Sequence, residues 1–135
     1  MKELVVDLIP AFADNYFFAV KKLSSNKVSI IDPGHAAPVI SYLEHHQYQL
    51  QSIFITHHHS DHVGGANELK EKYGVKIYGP SSVAPDIVLS EGSFFAIEDF
   101  KFQVLHLPGH TLDHLAFYQG QEGILFCGDI LFSLG

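Results

Sequence analysis

Thr56-His57-His58-His59-Ser60-Asp61-His62, followed at once by Val63-Gly64-Gly65, is the stretch on which the reading of this 135-residue chain turns. It comes directly after Ile53-Phe54-Ile55, an apolar run too short for a helix that reads as a buried strand. Alternate residues of an extended segment face the same side, so His57, His59 and Asp61 share a face while His58 and Ser60 point away. His62 joins that face only if the chain turns there, and the glycines and helical pattern behind it give a reason for a turn. Imidazoles with a carboxylate suit zinc, iron or manganese rather than calcium. A capping or turn role at a strand-to-helix junction would account for a lone His-x-His. Four candidate ligands at this spacing point instead to a transition-metal site.

Further along, His110 follows a glycine in Pro108-Gly109-His110-Thr111, and Asp129 follows one in Cys127-Gly128-Asp129. Glycine lets the backbone come close to a crowded site. Either residue alone would be an ordinary turn residue, but with the first cluster they make six candidates, enough for two metals rather than one. Residues 4–9, 16–20 and 28–31 read as strands, the third stopped by Asp32-Pro33-Gly34. Pro38 with Val39, Ile40 and Leu43 predicts a short amphipathic helix to about His46, and the pattern over 66–73 predicts a surface helix. Residues 75–78, 94–97, 102–107, 115–118 and 124–126 then read as strands separated by turns. Helices alternating with strands early and hairpins late imply a layered α/β domain.

Composition narrows the function. Apolar residues make up 47% and charged residues 17%, which is enough to pack a core, and the length fits one domain over residues 1–135. A net charge of -7 leaves no basic stripe for phosphates, so a small-molecule partner is expected and a nucleic acid is not. Cys127 is the single cysteine and cannot form an internal disulfide. The first apolar run stops after three residues and no later run nears a membrane span, so a cytoplasmic protein without membrane contact is expected.

The motifs resemble those of the metallo-β-lactamase superfamily: Thr56 to His62 matches its T-H-x-H-x-D-H signature, and Pro108-Gly109-His110-Thr111-Leu112-Asp113-His114 and Gly128-Asp129 match the next two motifs in order. Ile9-Pro10-Ala11-Phe12, Asp14-Asn15-Tyr16, Asp32-Pro33-Gly34 and Gly128-Asp129-Ile130-Leu131-Phe132 look most like the glyoxalase II family of hydroxyacylglutathione hydrolases. The resemblance implies an αββα sandwich whose carboxy-terminal part lies beyond this sequence. It implies that His57, His59 and His110 bind a first metal, Asp61 and His62 a second, and Asp129 both, with up to two zinc ions and iron or manganese as alternatives. Asp61 would also orient the attacking hydroxide, and no serine or cysteine nucleophile is needed. His114 and Asp32 are candidates to support the ligands from behind.

The implied substrate is a glutathione thioester such as S-lactoylglutathione. A lactonase, a β-lactamase, a persulfide dioxygenase or a non-catalytic metal-binding fragment are the alternatives. The family's last second-site histidine and its glutathione-holding helical domain fall after residue 135. A weakly active chain is therefore expected, with a homodimer through an uncovered apolar face.

Overall fold

The computed structural model describes residues 3–10, 16–57, 60–107, 114–127 and 130–133, with side chains at all of these except 16, 60–64 and 130–133. Two sheets stack face to face. The first is built from β1 (Leu4–Pro10), β2 (Tyr16–Lys22), β3 (Lys27–Ile31), β4 (Gln49–Phe54), β5 (Lys76–Gly79) and β6 (Ile87–Val88), in that spatial order. Its first three strands run antiparallel, and β3 to β6 run parallel. Parallel neighbours need a crossover, and α1 (Ala36–His46) and α2 (Ser60–Tyr73) supply two of them. The second sheet is an antiparallel meander of β7 (Phe94–Ile97), β8 (Phe100–His106), β9 (Leu115–Gln119), β10 (Ile124–Cys127) and β11 (Ile130–Ser133).

Strand alternation divides the apolar residues into two cores. Phe18, Val20, Ile31 and Phe54 from the first sheet meet Phe95, Phe102, Val104, Phe117 and Phe126 from the second. Phe54 lies at the middle of this layer, its ring centroid 4.2 Å from Phe95 and 6.0 Å from Phe117. The opposite face of the first sheet packs Ile30, Ile53, Ile55 and Ile77 against Val39 and Leu43 of α1 and Ala66 and Leu69 of α2. The layers are therefore helix, sheet, sheet, and among the described residues no helix covers the outer face of the second sheet. Phe94, 54% exposed, lies on that face with Lys101 Nζ 4.3 Å from its ring centroid. No helix among the described residues is long and apolar enough to cross a membrane.

Several boundaries differ from those read in the sequence. α1 begins at Ala36, so Pro38 falls inside the first turn, where the missing N–H has no intrahelical acceptor to lose. β4 begins at Gln49, because Gln49, Leu50 and Ser52 are held by pairing with β3 and the polar residues among 49–52 give no apolar pattern to read. α2 begins at Ser60 and not at Ala66, so Asp61 and His62 stand in a helix and not in an extended run. β6 and β11 had no counterpart in the sequence reading.

At one pole the sheets are clasped by polar contacts. Glu122 Oε1 accepts from the backbone N–H of Glu3 and Leu4 (3.0 and 3.1 Å), Lys22 pairs with Asp99 (3.0 Å), and Ser25 bonds Glu98 (3.0 Å). This leaves the other pole, at the carboxyl ends of β3 and β4, to be shaped by the motifs.

Candidate metal centre

Ligands of open α/β sheets gather at the carboxyl ends of the parallel strands, and the histidine motif begins there. β4 ends at Phe54, and Thr56 and His57 follow it, both buried. The adjacent strand β3 ends at Ile31 and delivers Asp32 beside them, with the Asp32 N–H donating to the Phe54 carbonyl at 2.8 Å. Asp32 adopts a φ of 55°, a left-handed conformation that aspartate tolerates better than most residues and that turns its carboxylate back across β4. One carboxylate oxygen accepts the Thr56 N–H at 2.8 Å, and the other accepts the Thr56 hydroxyl at 2.5 Å. The Thr56 oxygen then stands 2.8 Å from His57 Nδ1.

The second sheet closes on the same place. The Leu115 N–H donates to the Thr56 carbonyl at 2.7 Å, and the His114 ring stacks on His57 with centroids 4.9 Å apart and planes 21° apart. Leu107 donates to the His114 carbonyl at 2.9 Å, so the chain ends flanking residues 108–113 are tied together here. Cys127 pairs with Ala116 and with Ile130, which brings the flanks of residues 128–129 to this pole as well. Burial pushes the Cys127 thiol up, making it a poor thiolate near neutral pH.

α2 is seated by Gly65. A Cβ built there would lie 2.5 Å from the Pro33 carbonyl oxygen and 2.8 Å from both the Gly34 carbonyl carbon and the His35 nitrogen. Only glycine lets the helix lie so near the Asp32-Pro33-Gly34 turn, and Asp61 and His62 enter its first turn one helical turn earlier. The far half of α2 is fixed by Asp86, which accepts from Lys70 Nζ at 2.5 Å and from the Ile77 N–H at 2.8 Å. The Lys70 hydrogen bond, then the Ile77 N–H, holds the Asp86 carboxyl below the usual carboxylate range. A carboxylate with a depressed folded-state pKa stabilises the fold above its unfolded-state pKa, and that contribution is lost as pH falls through the folded value. The stability gap between wild type and Asp86→Asn should therefore be widest near neutral pH and close below about pH 4. Melting curves across that range measure it.

Of the six residues read as metal ligands, His57 is described with its side chain, and Asp61 and His62 with their backbone in α2. His59, His110 and Asp129 lie outside the described residues, as does His58. Among the described residues there is accordingly no group of three or more potential ligands. Both candidates for a supporting role stand against the ligand strand, Asp32 through Thr56 and His114 through its ring. The Thr56 hydroxyl and the seat at Gly65 had not been singled out. A threonine at a strand end and a glycine pair inside a helix were the only signals, and neither identifies its partner. Two cavities, of about 670 Å³ between β1 and α1 and about 370 Å³ at the opposite ends of β3 to β5, do not include His57 in their walls.

A buried imidazole with one nitrogen committed to a hydroxyl, set between two sheets at the converging ends of the motif-bearing segments, fits a metal ligand. Among known proteins, the family model described as the metallo-beta-lactamase superfamily matches residues 12–86 and 77–135. The chain belongs to the metallo-β-lactamase superfamily. Within it, the chain is similar to proteins named hydroxyacylglutathione hydrolase. It is 47% identical to that of Chromohalobacter salexigens, with 98% of this chain and 53% of the relative covered. It is 41% identical to that of Ectopseudomonas mendocina, with 96% and 52% covered. The chain thus spans about half the length of the curated relatives it matches. Among solved structures, BLEG-1, titled a B3 metallo-beta-lactamase, superposes with a TM-score of 0.82 at 24% identity, covering 95% of this chain and 73% of that one. That likeness establishes the fold, and the relatives' sequences carry the subfamily.

Proposed function

We propose that this chain carries the metal-binding part of a hydroxyacylglutathione hydrolase, an enzyme cleaving glutathione thioesters such as S-lactoylglutathione. The reading is supported above all by the convergence of the motif-bearing segments on His57, in a chain 47% identical to a protein of that name. His57, His59 and His110 would hold one metal, Asp61 and His62 a second, and Asp129 both, with zinc the ion best matched to three imidazoles and carboxylates. A bound metal pair supplies acidification of water and polarisation of the thioester carbonyl. The chain's own contribution is to fix the ligands before substrate arrives. Asp32 and Thr56 hold the His57 ring from behind, His114 fixes its plane, and the glycine seat brings the start of α2 to the same pole.

Residues 1–135 alone, saturated with zinc, should hydrolyse S-lactoylglutathione at least ten times more slowly than a full-length relative. Holding a substrate against its reacting group is worth about 7–11 kcal/mol in the best cases, and the glutathione-holding residues implied by the resemblance are not in this segment. A fusion of residues 1–135 to the remaining half of the Chromohalobacter salexigens relative should restore turnover. A zinc-loaded fusion that ignores the thioester but opens a lactone or a β-lactam would move the chain to another branch of the superfamily.

We further propose that residues 1–135 self-associate through the outer face of the second sheet, where Phe94 is exposed and Tyr118 and Leu125 are half-buried. Light scattering at high concentration should report a dimer that Phe94→Lys weakens. A monomer at all concentrations would dismiss the idea.

A further inference from the structure

We propose that Asp32, acting through Thr56, is a positioning residue that sets the tautomer of His57, so that the ring enters the metal centre with its proton on Nδ1 and its lone pair on Nε2. The inference rests on the reading of His57 as a metal ligand but not on the identity of the substrate.

The protons available along this chain of groups fix the direction of each bond. Asp32 is 3% exposed and Thr56 is fully buried, so the hydrogen bond between them is shielded from bulk water. A carboxylate accepts and cannot donate, and its second oxygen lies 2.5 Å from the Thr56 hydroxyl. The hydroxyl has one proton, and it goes to Asp32 because a hydrogen bond to a charged acceptor is roughly twice as strong as one to a neutral acceptor. The same oxygen, 2.8 Å from His57 Nδ1, is left to act there as an acceptor. An acceptor at Nδ1 requires the ring to carry its proton on that nitrogen, and a neutral imidazole with Nδ1 protonated presents its lone pair at Nε2.

The rest of the geometry keeps this direction fixed. The other Asp32 oxygen is tied to the Thr56 N–H at 2.8 Å, which stops the carboxylate from rotating away. The Thr56 carbonyl is tied to Leu115 of the second sheet, and His114 stacks on the His57 ring. Asp32 reaches this position only through its left-handed backbone at the end of β3. The conformation serves the carboxylate's aim across the neighbouring strand as well as the turn.

The substitution that separates this role from a structural one is Asp32→Asn. The amide is nearly isosteric, tolerates the same φ, and keeps an oxygen for the Thr56 N–H. Where the carboxylate accepted the hydroxyl, however, the amide now offers an N–H. Thr56 must then turn its own proton toward His57 Nδ1, and the ring proton moves to Nε2. Long-range proton–nitrogen correlation NMR on histidine-labelled, metal-free protein reads the tautomer, with His57 assigned by its loss in His57→Gln. At about pH 8.5, where an ordinary imidazole is neutral, wild type should show the Nδ1–H form and Asp32→Asn the Nε2–H form. Zinc affinity measured against a competing chelator should fall by about 10–100-fold in Asp32→Asn, the range usual for a partner behind a metal-binding histidine. Thr56→Ser should keep both tautomer and affinity, while Thr56→Val should lose the preference.

Should Asp32→Asn prove too unstable to examine, the Thr56→Ser and Thr56→Val pair decides the question alone. Wild-type His57 in the Nε2–H form would overturn the proposal, as would variants that keep the Nδ1–H form and their zinc affinity. Because the tautomer is read without metal or substrate, its outcome is separable from the thioester assay. A switched tautomer with no thioester turnover in the fusion leaves this inference standing and the substrate assignment refuted.

Discussion

Gly65→Ala should lower the stability of the protein by about 1–2 kcal/mol and loosen the start of α2, although the substitution improves intrinsic helix propensity. In a helix interior alanine is favoured over glycine by about 1 kcal/mol, so propensity alone predicts a gain. The opposing effect is larger. An added Cβ would meet the Pro33 oxygen at 2.5 Å and two further backbone atoms at 2.8 Å. These atoms belong to a turn that cannot swing aside as a side chain can. Overpacking costs about 1–3 kcal/mol and occasionally more, and a clash with three backbone atoms belongs at the upper end, so about 1–2 kcal/mol remains once the propensity gain is offset. Either α2 lifts away from the turn, displacing the backbone that carries Asp61 and His62, or the turn yields and moves Asp32 relative to Thr56. Both routes disturb the proposed metal centre. Thermal melting should show a fall of about 4–10 °C for a domain of this size, whereas Asn67→Ala, at an exposed position in the same helix, should melt at or slightly above wild type. If Gly65→Ala melted as high as Asn67→Ala, the close approach of α2 to the Pro33 turn would not exist in solution.

The sequence and the structure part company where a residue's partner is set by topology rather than by pattern. The strand Phe94–Ile97 was legible to the residue because apolar and aromatic side chains run between clear turn signals. Residues 49–52 were not, because Gln49, Gln51 and Ser52 carry no strand signature and are recruited by β3 from across a helical crossover. The start of α2 was missed by six residues because Gly64-Gly65 reads as a break, while in the fold Gly65 is where the helix must be thin.

At the candidate site, the residue types were legible in the sequence and the architecture was not. The residue types at 57, 59, 61 and 62 are rare in such density for any reason but metal, so a candidate ligand set can be written from the sequence, and of these four the structure describes the side chain of His57. Asp61 does not continue an extended face with His57, since the chain is helical by Ser60. That Asp32 would reach Thr56 could not be read at all. The two are 24 positions apart and become neighbours only because β3 and β4 are adjacent and parallel.

His57→Ala should lower zinc affinity by about a hundredfold or more, whereas His58→Ala should leave it within about twofold. The first figure is set by the observation that even partners behind a metal-binding histidine command about 10–100-fold, and His57 is the group those partners serve. Its ring is buried, its Nδ1 is engaged by Thr56, and its plane is held by His114, so the ordering entropy of the ligand is met by the fold before metal arrives. His58 has no place in the proposed ligand set. His59→Ala should fall with His57→Ala, because both are assigned to the first metal. On the proposed assignment that metal would have His57, His59, His110 and Asp129, four ligands in all. The second is offered only Asp61, His62 and Asp129. Zinc titrated into metal-free wild type should therefore bind in two steps, the first tight and the second weak enough for a mild chelator to strip. Metal analysis after dialysis should find about one ion per chain in wild type and His58→Ala, and a small fraction of one in His57→Ala and His59→Ala. Equal retention by His57→Ala and His58→Ala would mean that the buried ring beside Thr56 is a core residue and that the centre must be assembled from other groups.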